Sequence, residues 1–322
     1  TGGGKSVCYQ LPALLMDGLT VVISPLIALM KDQVDALRLN GIPAAFLNSS
    51  LDSNQQNHIL NQVKDGKIKL LYIAPERLSA ISINFIDFLK QLNVSLFAID
   101  EAHCISHWGH DFRPDYIRLS VLKNEFPDVP LIALTATADE LTRKDIVDKL
   151  LLKDPYIFIS SFNRSNIRYL IEPKRDSYHR MLEFLENHKN QCGIIYCLSR
   201  QQTDDLAVKL AEDGYSALSY HAGLTTDERT KRQELFKNDQ VKIIVATIAF
   251  GMGIDKPDVR FVIHYNMPKS LENYYQETGR SGRDGLEGKC IAYYSNADML
   301  KLEKFMRDKT HSEREMGGHL IM

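Results

Sequence analysis

Short apolar runs alternate with longer helix-patterned stretches along this chain, and that alternation leaves few folds open. In the first half the strand candidates are Leu19–Ser24, Lys69–Ile73, Val94–Ile99 and Leu131–Thr135, separated by helical patterns such as Ile27–Leu39 and Ser53–Lys64. The second half repeats the style with Gly193–Tyr196, Lys242–Ala246 and Arg260–His264, and with helical patterns at Gln202–Glu212, Thr226–Phe236 and Leu271–Glu277. Strands joined through helices pair in parallel, so each half predicts an α/β unit with a mostly parallel sheet flanked by helices. The 322 residues suit two domains of roughly 150 residues each. Between them, Ser160–Arg168 is polar and has no apolar period, which marks a hinge. The expected division is 1–162, 163–308, and the start of a further module at 309–322, where charges, Gly317 and Gly318 follow no clear period.

Composition excludes more than it identifies. A content of 44% hydrophobic and 25% charged residues is that of an ordinary globular protein. The longest apolar stretch, Leu19–Met30, is broken by Ser24 and Pro25. It falls short of the ~18 residues of a spanning helix, so no membrane partner is expected. The five cysteines are scattered, and beside Cys192 and Cys197 no second pair has zinc-ligand spacing. Reduced, buried thiols of an intracellular protein are expected, and no zinc. A net charge of −2 decides nothing about nucleic acid. Screening confines exposed charges to about 8 Å at physiological salt, so a local basic groove would suffice.

The chain opens Thr1-Gly2-Gly3-Gly4-Lys5-Ser6 and continues into a helix-compatible run, Val7–Met16. A glycine-rich turn feeding a helix aims backbone N–H groups at phosphate oxygens, and the helix dipole favours the anion. Lys5 would reach the β- and γ-phosphates of ATP, and the Ser6 hydroxyl would ligate Mg²⁺. Taken alone, the same letters also describe a surface loop with an incidental lysine. The first glycine of the full pattern would precede Thr1, so the natural N-terminus is expected to lie upstream.

Asp100-Glu101-Ala102-His103 follows the apolar strand candidate ending in Ile99. Both carboxylates then emerge at a strand's carboxyl end, the edge where open α/β sheets bind ligands. Asp100 is placed to hold Mg²⁺, usually through water, and Glu101 to polarise the attacking water. An isolated Asp-Glu pair could instead cap a helix; the strand before it and the Gly-Lys-Ser upstream favour hydrolysis. The run Pro130–Ala138 ends with Thr135 and Thr137, small hydroxyls suited to the edge of a nucleotide pocket.

In the second half, Arg280 and Arg283 stand three residues apart within Tyr274–Asp284. On a helical turn that spacing puts both guanidinium groups on one face. An arginine finger on the γ-phosphate is worth ~10³–10⁵ in rate. With Arg283 as that finger, the active site would span a cleft between the two halves. Surface arginines at a helix end are the competing reading, and the flanking glycines argue against it. Ala246–Asp255 is a strand followed by a Gly-containing loop in which Asp255 could accept a hydrogen bond from ribose. Tyr220-His221-Ala222-Gly223 could meet a phosphate backbone through exposed N–H groups.

Taken in order, these blocks resemble the motifs of superfamily-two helicases, and most specifically those of the RecQ family. The most specific is DEAHCISHWGHDFRPDY at Asp100–Tyr116. Also similar are VISPLIALMKDQ (Val22–Gln33), YIAPERL (Tyr72–Leu78), FGMGIDKPDVR (Phe250–Arg260) and YYQETGRSGRDG (Tyr274–Gly285), so the resemblance covers nearly the whole chain. It implies two tandem RecA-like lobes and an ATP-dependent DNA helicase that moves 3′ to 5′ on single-stranded DNA in repair and recombination. ATP and Mg²⁺ are the cofactors it implies, and single-stranded and partially duplex DNA the partners. Protein partners stay unknown and a monomer is expected, in the cytoplasm and nucleoid of a bacterium or the nucleus of a eukaryote. Gln276 joins Glu101, Arg280 and Arg283 in the implied catalytic set. Ser24, Pro25, His221 and Thr247 become nucleic-acid contacts, and Cys104–Tyr116 becomes an aromatic-rich loop that senses DNA, with Phe112 and Arg113 in it. Trp108, the only tryptophan, has polar and glycine neighbours. That setting suits an exposed ring stacking on a base, a contact worth ~1–3 kcal/mol.

In the family a glutamine motif that reads adenine lies upstream of the phosphate loop, and zinc-binding and winged-helix modules follow the motor. The chain starts after the first and stops before the others, so by itself it is expected to bind ATP weakly and unwind poorly. Two other functions stay open. One is an RNA-remodelling ATPase with the same two-lobed core, since no residue reads the 2′-OH. The other is a nucleic-acid-binding scaffold with a vestigial ATPase, against which the intact Lys5, Asp100, Glu101, Arg280 and Arg283 argue.

Overall fold

Every residue of the strand Leu19–Ile23 is buried, as required of a strand covered on both faces. The computed structural model describes residues 4–78, 83–107, 111–161, 163–251 and 256–309. They fall into two units that divide between Ser160 and Ser161. Among the described residues no helix is long and apolar enough to cross a membrane.

Unit 1 runs α1 (Val7–Leu15), β1 (Leu19–Ile23), α2 (Ile27–Leu39), β2 (Ala44–Leu47), α3 (Ser53–Lys64) and β3 (Leu70–Ile73). It continues with α4 (Ile83–Lys90), β4 (Val94–Ile99), α5 (Pro114–Ile117), α6 (Val121–Glu125), β5 (Leu131–Ala133) and α7 (Glu140–Lys149). The sheet order is β2-β3-β1-β4-β5, and all neighbours are parallel. Alternate side chains serve opposite faces. Val21, Ile23, Phe97 and Ile99 pack with Phe85 and Leu89 of α4. Val22, Leu96 and Ala98 pack with Tyr9 and Ala13 of α1 and with Met30, Val34 and Leu37 of α2. Each large apolar side chain so buried contributes about 1.5–3 kcal/mol. The chain leaves β1 toward one side of the sheet and continues from β4 on the other, so the crevice beyond the carboxyl ends of β1 and β4 is where this topology leaves room for a ligand.

Unit 2 runs β6 (Ile167–Pro173), α8 (Ser177–Glu186), β7 (Cys192–Tyr196), α9 (Arg200–Glu212), β8 (Ala217–Tyr220) and α10 (Thr226–Lys237). Then come β9 (Ile243–Ala246), β10 (Val259–His264), α11 (Leu271–Thr278), β11 (Gly288–Tyr294) and α12 (Asn296–Lys309). Its sheet, β6-β11-β10-β7-β9-β8, is parallel throughout. One face carries Ile195, Val245, Phe261 and Ile263 against Met181 and Leu185 of α8 and Leu206 and Leu210 of α9. The expected pair of parallel α/β units is what the chain forms. The polar stretch expected as a hinge is shorter than anticipated, because β6 begins inside it at Ile167.

Candidate nucleotide and nucleic-acid sites

The phosphate-loop candidate enters α1 through Gly4, whose φ of +72° is a left-handed value that favours glycine. Lys5 follows, and Ser6 sits at the N-cap position of α1. Thr1, Gly2 and Gly3 lie outside the described residues. At the far end of the unit's central strand pair, the Asp100 N–H donates to the Ile23 carbonyl at 2.9 Å. The Tyr116 hydroxyl donates to the Asp100 carbonyl at 2.9 Å. These two bonds fix the backbone from which both carboxylates emerge.

Glu101 has φ 48° and ψ 45°, a left-handed conformation that costs a non-glycine residue about 1–2 kcal/mol. The turn takes the chain out of β4 into the 3₁₀ turn Ala102–Ile105. There the Glu101 carboxylate meets the Lys5 ammonium, Nζ to Oε1 3.3 Å. Its other oxygen lies 3.3 Å from His103 Nδ1, and the same ring nitrogen is 2.9 Å from Thr135 Oγ1. The Thr135 hydroxyl donates to the Thr137 carbonyl at 3.0 Å. Thr135 Oγ1 is therefore left to accept, which puts the His103 proton on Nδ1. One carboxylate thus gathers the phosphate-loop lysine and, through His103, the hydroxyl just past β5.

Burial and the adjacent Glu101 charge push Asp100 up to about 6, against the pull of Lys5. Burial acts on Glu101 in the same direction, but Lys5 and His103 hold it well below the usual carboxylate range. A buried carboxylate held up in this way is one whose charge a divalent cation would relieve. The Ser6 hydroxyl and the Asp100 carboxylate are hard oxygen donors of the kind Mg²⁺ takes. The residues fit the ion.

Around the carboxyl end of β1 the nucleic-acid candidates form a strapped loop. Ser24 is buried, and its N–H donates to the Ile73 carbonyl at 3.0 Å. The Arg113 guanidinium donates to the Pro25 carbonyl at 2.9 Å and to Asp111 at 3.1 and 3.0 Å. The Arg113 N–H donates to the Cys104 carbonyl at 2.9 Å. Phe112 stacks on His107 with ring centroids 3.7 Å apart. Trp108 lies outside the described residues, as does Asp255.

In unit 2 the Thr247 N–H donates to the Tyr220 carbonyl at 3.1 Å, linking the ends of β9 and β8. His221 is buried; its Nδ1 accepts from the Gly223 N–H at 3.2 Å. Its Nε2, which then carries the proton, donates to Asp204 at 3.0 Å. The ring is engaged in holding its own loop, and so is one of the N–H groups expected to face a phosphate. Gln276 lies on α11, whose N-cap Ser270 accepts from the Asn273 N–H.

The two arginines do not share a helical face. α11 ends at Thr278, and Gly282 between them adopts φ +57°. A Cβ at Gly282 would stand 2.6 Å from Asn166 Nδ2 and 2.6 Å from the Leu286 carbonyl, so the turn admits only glycine. The result is an asymmetry that the spacing does not reveal: Arg280 is buried, at 5% exposed, and Arg283 is half-buried. Sequence reasoning also misses Tyr196, His264 and Glu277, which cluster beside Arg280; each reads as an ordinary end of a strand or helix.

Among the described residues one group has a metal-binding composition, Cys192, Asp239 and Asp258. The Lys256 ammonium lies 3.1 Å from Asp239 and 3.0 Å from Asp258 and already supplies the positive charge there.

The DEAD/DEAH box helicase profile matches residues 1–146, and that of the helicase conserved C-terminal domain matches residues 176–285. The ATP-dependent DNA helicase RecQ of Pasteurella multocida is 50% identical over 312 residues, 97% of this chain and 49% of the relative. Its counterpart from Haemophilus influenzae is 50% identical over 322 residues, 100% of this chain and 52% of the relative. The chain thus spans about half the length of these curated relatives. The solved structure of Mycobacterium smegmatis helicase Lhr bound to ssDNA and AMP-PNP superposes with a TM-score of 0.71 at 20% identity, over 98% of this chain and 45% of that one. That likeness identifies the architecture as tandem RecA-like units. With both profiles in tandem on a two-unit core and half of all positions identical across the chain, this protein belongs to the RecQ family of helicases.

Proposed function

We propose that this chain is the motor of an ATP-dependent DNA helicase, converting ATP hydrolysis into 3′ to 5′ movement on single-stranded DNA and separation of the duplex ahead. The observation that carries the reading is the meeting of Lys5 and Glu101, 3.3 Å apart, beside the buried Asp100 at the ligand-binding edge of a parallel sheet. In this reading residues 1–162 hold the nucleotide. Thr1, Gly2, Gly3 and Gly4 cradle phosphate with their N–H groups, and Lys5 neutralises the β- and γ-oxygens. Ser6 and Asp100 hold Mg²⁺, which when bound would screen the phosphate charge. Glu101 orients the attacking water and draws its proton. Residues 163–308 supply Arg283 as the charge that answers the bond breaking at the γ-phosphate, with Gln276 and Arg280 in support and Asp255 toward the ribose.

Nucleic acid is assigned to Ser24, Pro25, Trp108, Phe112 and Arg113 of the first unit and to His221 and Thr247 of the second. Undoing one base-pair step costs ~1.4 kcal/mol of stacking. Repeated separation therefore needs a cycle that resets, and hydrolysis supplies the reset. The names of the relatives favour DNA over RNA as the track. The expected form is a monomer working where DNA is repaired and recombined, with partially duplex DNA as its substrate. The test is the ATPase rate of the 322-residue chain alone, with single-stranded DNA, and with RNA of equal length. Stimulation by DNA and little by RNA supports the proposal; preferential stimulation by RNA would replace it with an RNA-remodelling ATPase. No stimulation by either would leave a nucleic-acid scaffold.

A further inference from the structure

We propose that Tyr196 is a positioning residue for hydrolysis, its hydroxyl bracketing the loop after β9 to the turn that carries the two arginines. The inference rests on the motor reading above and deepens it, because it assigns Arg280 and Arg283 different tasks.

Tyr196 ends β7, which pairs with β10 on one side and β9 on the other. From β7 the chain winds through β8 and β9 in one direction, and from β10 through β11 in the other. This is the switch point of unit 2, the place where open α/β sheets leave a crevice for ligands. Here the protein's own side chains fill it. The Tyr196 ring is buried and stacks on His264, centroids 5.4 Å apart. His264 Nε2 is 2.6 Å from the Glu277 carboxylate on α11.

The Tyr196 hydroxyl has one proton and gives it to the Phe250 carbonyl, 2.8 Å away. Its oxygen is left to accept, and the positive charge of Arg280 lies beside it. Arg280 also sits against the loop itself: a Cβ added at Gly251 would lie 3.4 Å from Arg280 Nη2. One phenol therefore serves the loop 247–251 and the turn 279–285 together. Arg280 is buried inside the unit, and Arg283 is half-buried. The chemistry needs a guanidinium at a fixed place when charge develops on the phosphoryl oxygens, and a displacement of about 1 Å can cost 10²-fold. Tyr196 and Arg280 set that place without touching substrate.

The experiment measures kcat and KM for ATP with saturating single-stranded DNA for wild type, Tyr196→Phe, Arg280→Lys, the double variant and Arg283→Ala. Tyr196→Phe keeps the buried ring and removes only the hydroxyl. It is expected to lower kcat about 10- to 100-fold with KM unchanged, and Arg280→Lys to do the same. The double variant should be no worse than the poorer single, since both break one bracket. Wild-type kcat in Tyr196→Phe, a rise in KM alone, or losses that multiply in the double variant would overturn the inference, with the motor reading intact if Arg283→Ala is inactive. Full hydrolysis by Arg283→Ala would instead overturn the motor reading and this inference with it.

Discussion

The Lys5 ammonium lies 3.3 Å from the Glu101 carboxylate, so the cation expected to hold the phosphates and the base expected to activate water hold each other. Both side chains are largely buried, at 25% and 19% exposed, where the pair is screened less than at the surface. On the proposed function, a polyphosphate entering the loop would draw Lys5 away and release Glu101 toward the water. Binding and activation would then be one exchange of partners. Glu101→Gln removes the charge that competes for Lys5 and the base together. Nucleotide affinity should therefore be kept or tightened, while turnover falls ~10²–10⁴-fold. Equilibrium binding of a labelled nucleotide beside a steady-state ATPase assay checks both halves; persisting turnover would remove Glu101 from its role.

Arg113 straps the loop after the 3₁₀ turn to the end of β1 through the Pro25 carbonyl and to Asp111. Arg113→Ala leaves Lys5, Asp100 and Glu101 untouched and frees the loop. The expected result is unchanged ATPase without DNA and a stimulated rate at least several-fold lower, read from a titration with single-stranded DNA. A stimulated rate equal to wild type would show that the strap has no part in sensing DNA.

Of the five thiols, Cys8 alone is exposed. Burial pushes Cys192, Cys197 and Cys290 up to about 12 and raises Cys104 as well. The thiolate is the reactive form, so these four should be inert in the folded chain. A thiol reagent at neutral pH should modify Cys8 quickly and the others only after denaturation. Cys8→Ser should abolish the fast phase.

Asp239 accepts from the Cys192 thiol and from Lys256, and these partners hold it down at about 2. Its value in the folded chain lies below the ~3.9 of an unperturbed aspartate. Its stabilising contribution is thus present above pH ~4 and is lost as pH falls through about 2. Asp239 is half exposed, and the effect is modest accordingly. Thermal unfolding of Asp239→Asn should occur below wild type at pH 6, with the gap narrowing steadily below pH 4. A gap independent of pH would assign the loss to something other than the charge.

The parts of this structure legible in the sequence are those where pattern and burial agree. β1, β4 and β10 are mostly apolar because both faces are covered, with Thr20, Ser95, Arg260 and His264 as the exceptions, and the carboxylates that follow β4 are readable from position alone. β6 was hidden because it lies at the sheet edge, where Arg168, Glu172 and Pro173 interrupt the apolar pattern. β2 and β8 are likewise edge strands, and AAFL and ALSY lack the run of large apolar residues that marks the equally short β3 and β9. The left-handed turn at Glu101 and the asymmetry of Arg280 and Arg283 have no signature in spacing, since both depend on what packs beside them. Tyr196 was illegible for the same reason: a tyrosine ending an apolar strand announces a core residue, and only its neighbours give the hydroxyl a task.

On the proposed function, Arg283 and Lys5 act on one triphosphate. Nucleotide affinity and DNA-stimulated turnover of Arg283→Ala, measured side by side on the same preparation, test it most directly. Nearly unchanged affinity is expected, with stimulated turnover reduced ~10³-fold or more. Undiminished turnover would contradict it.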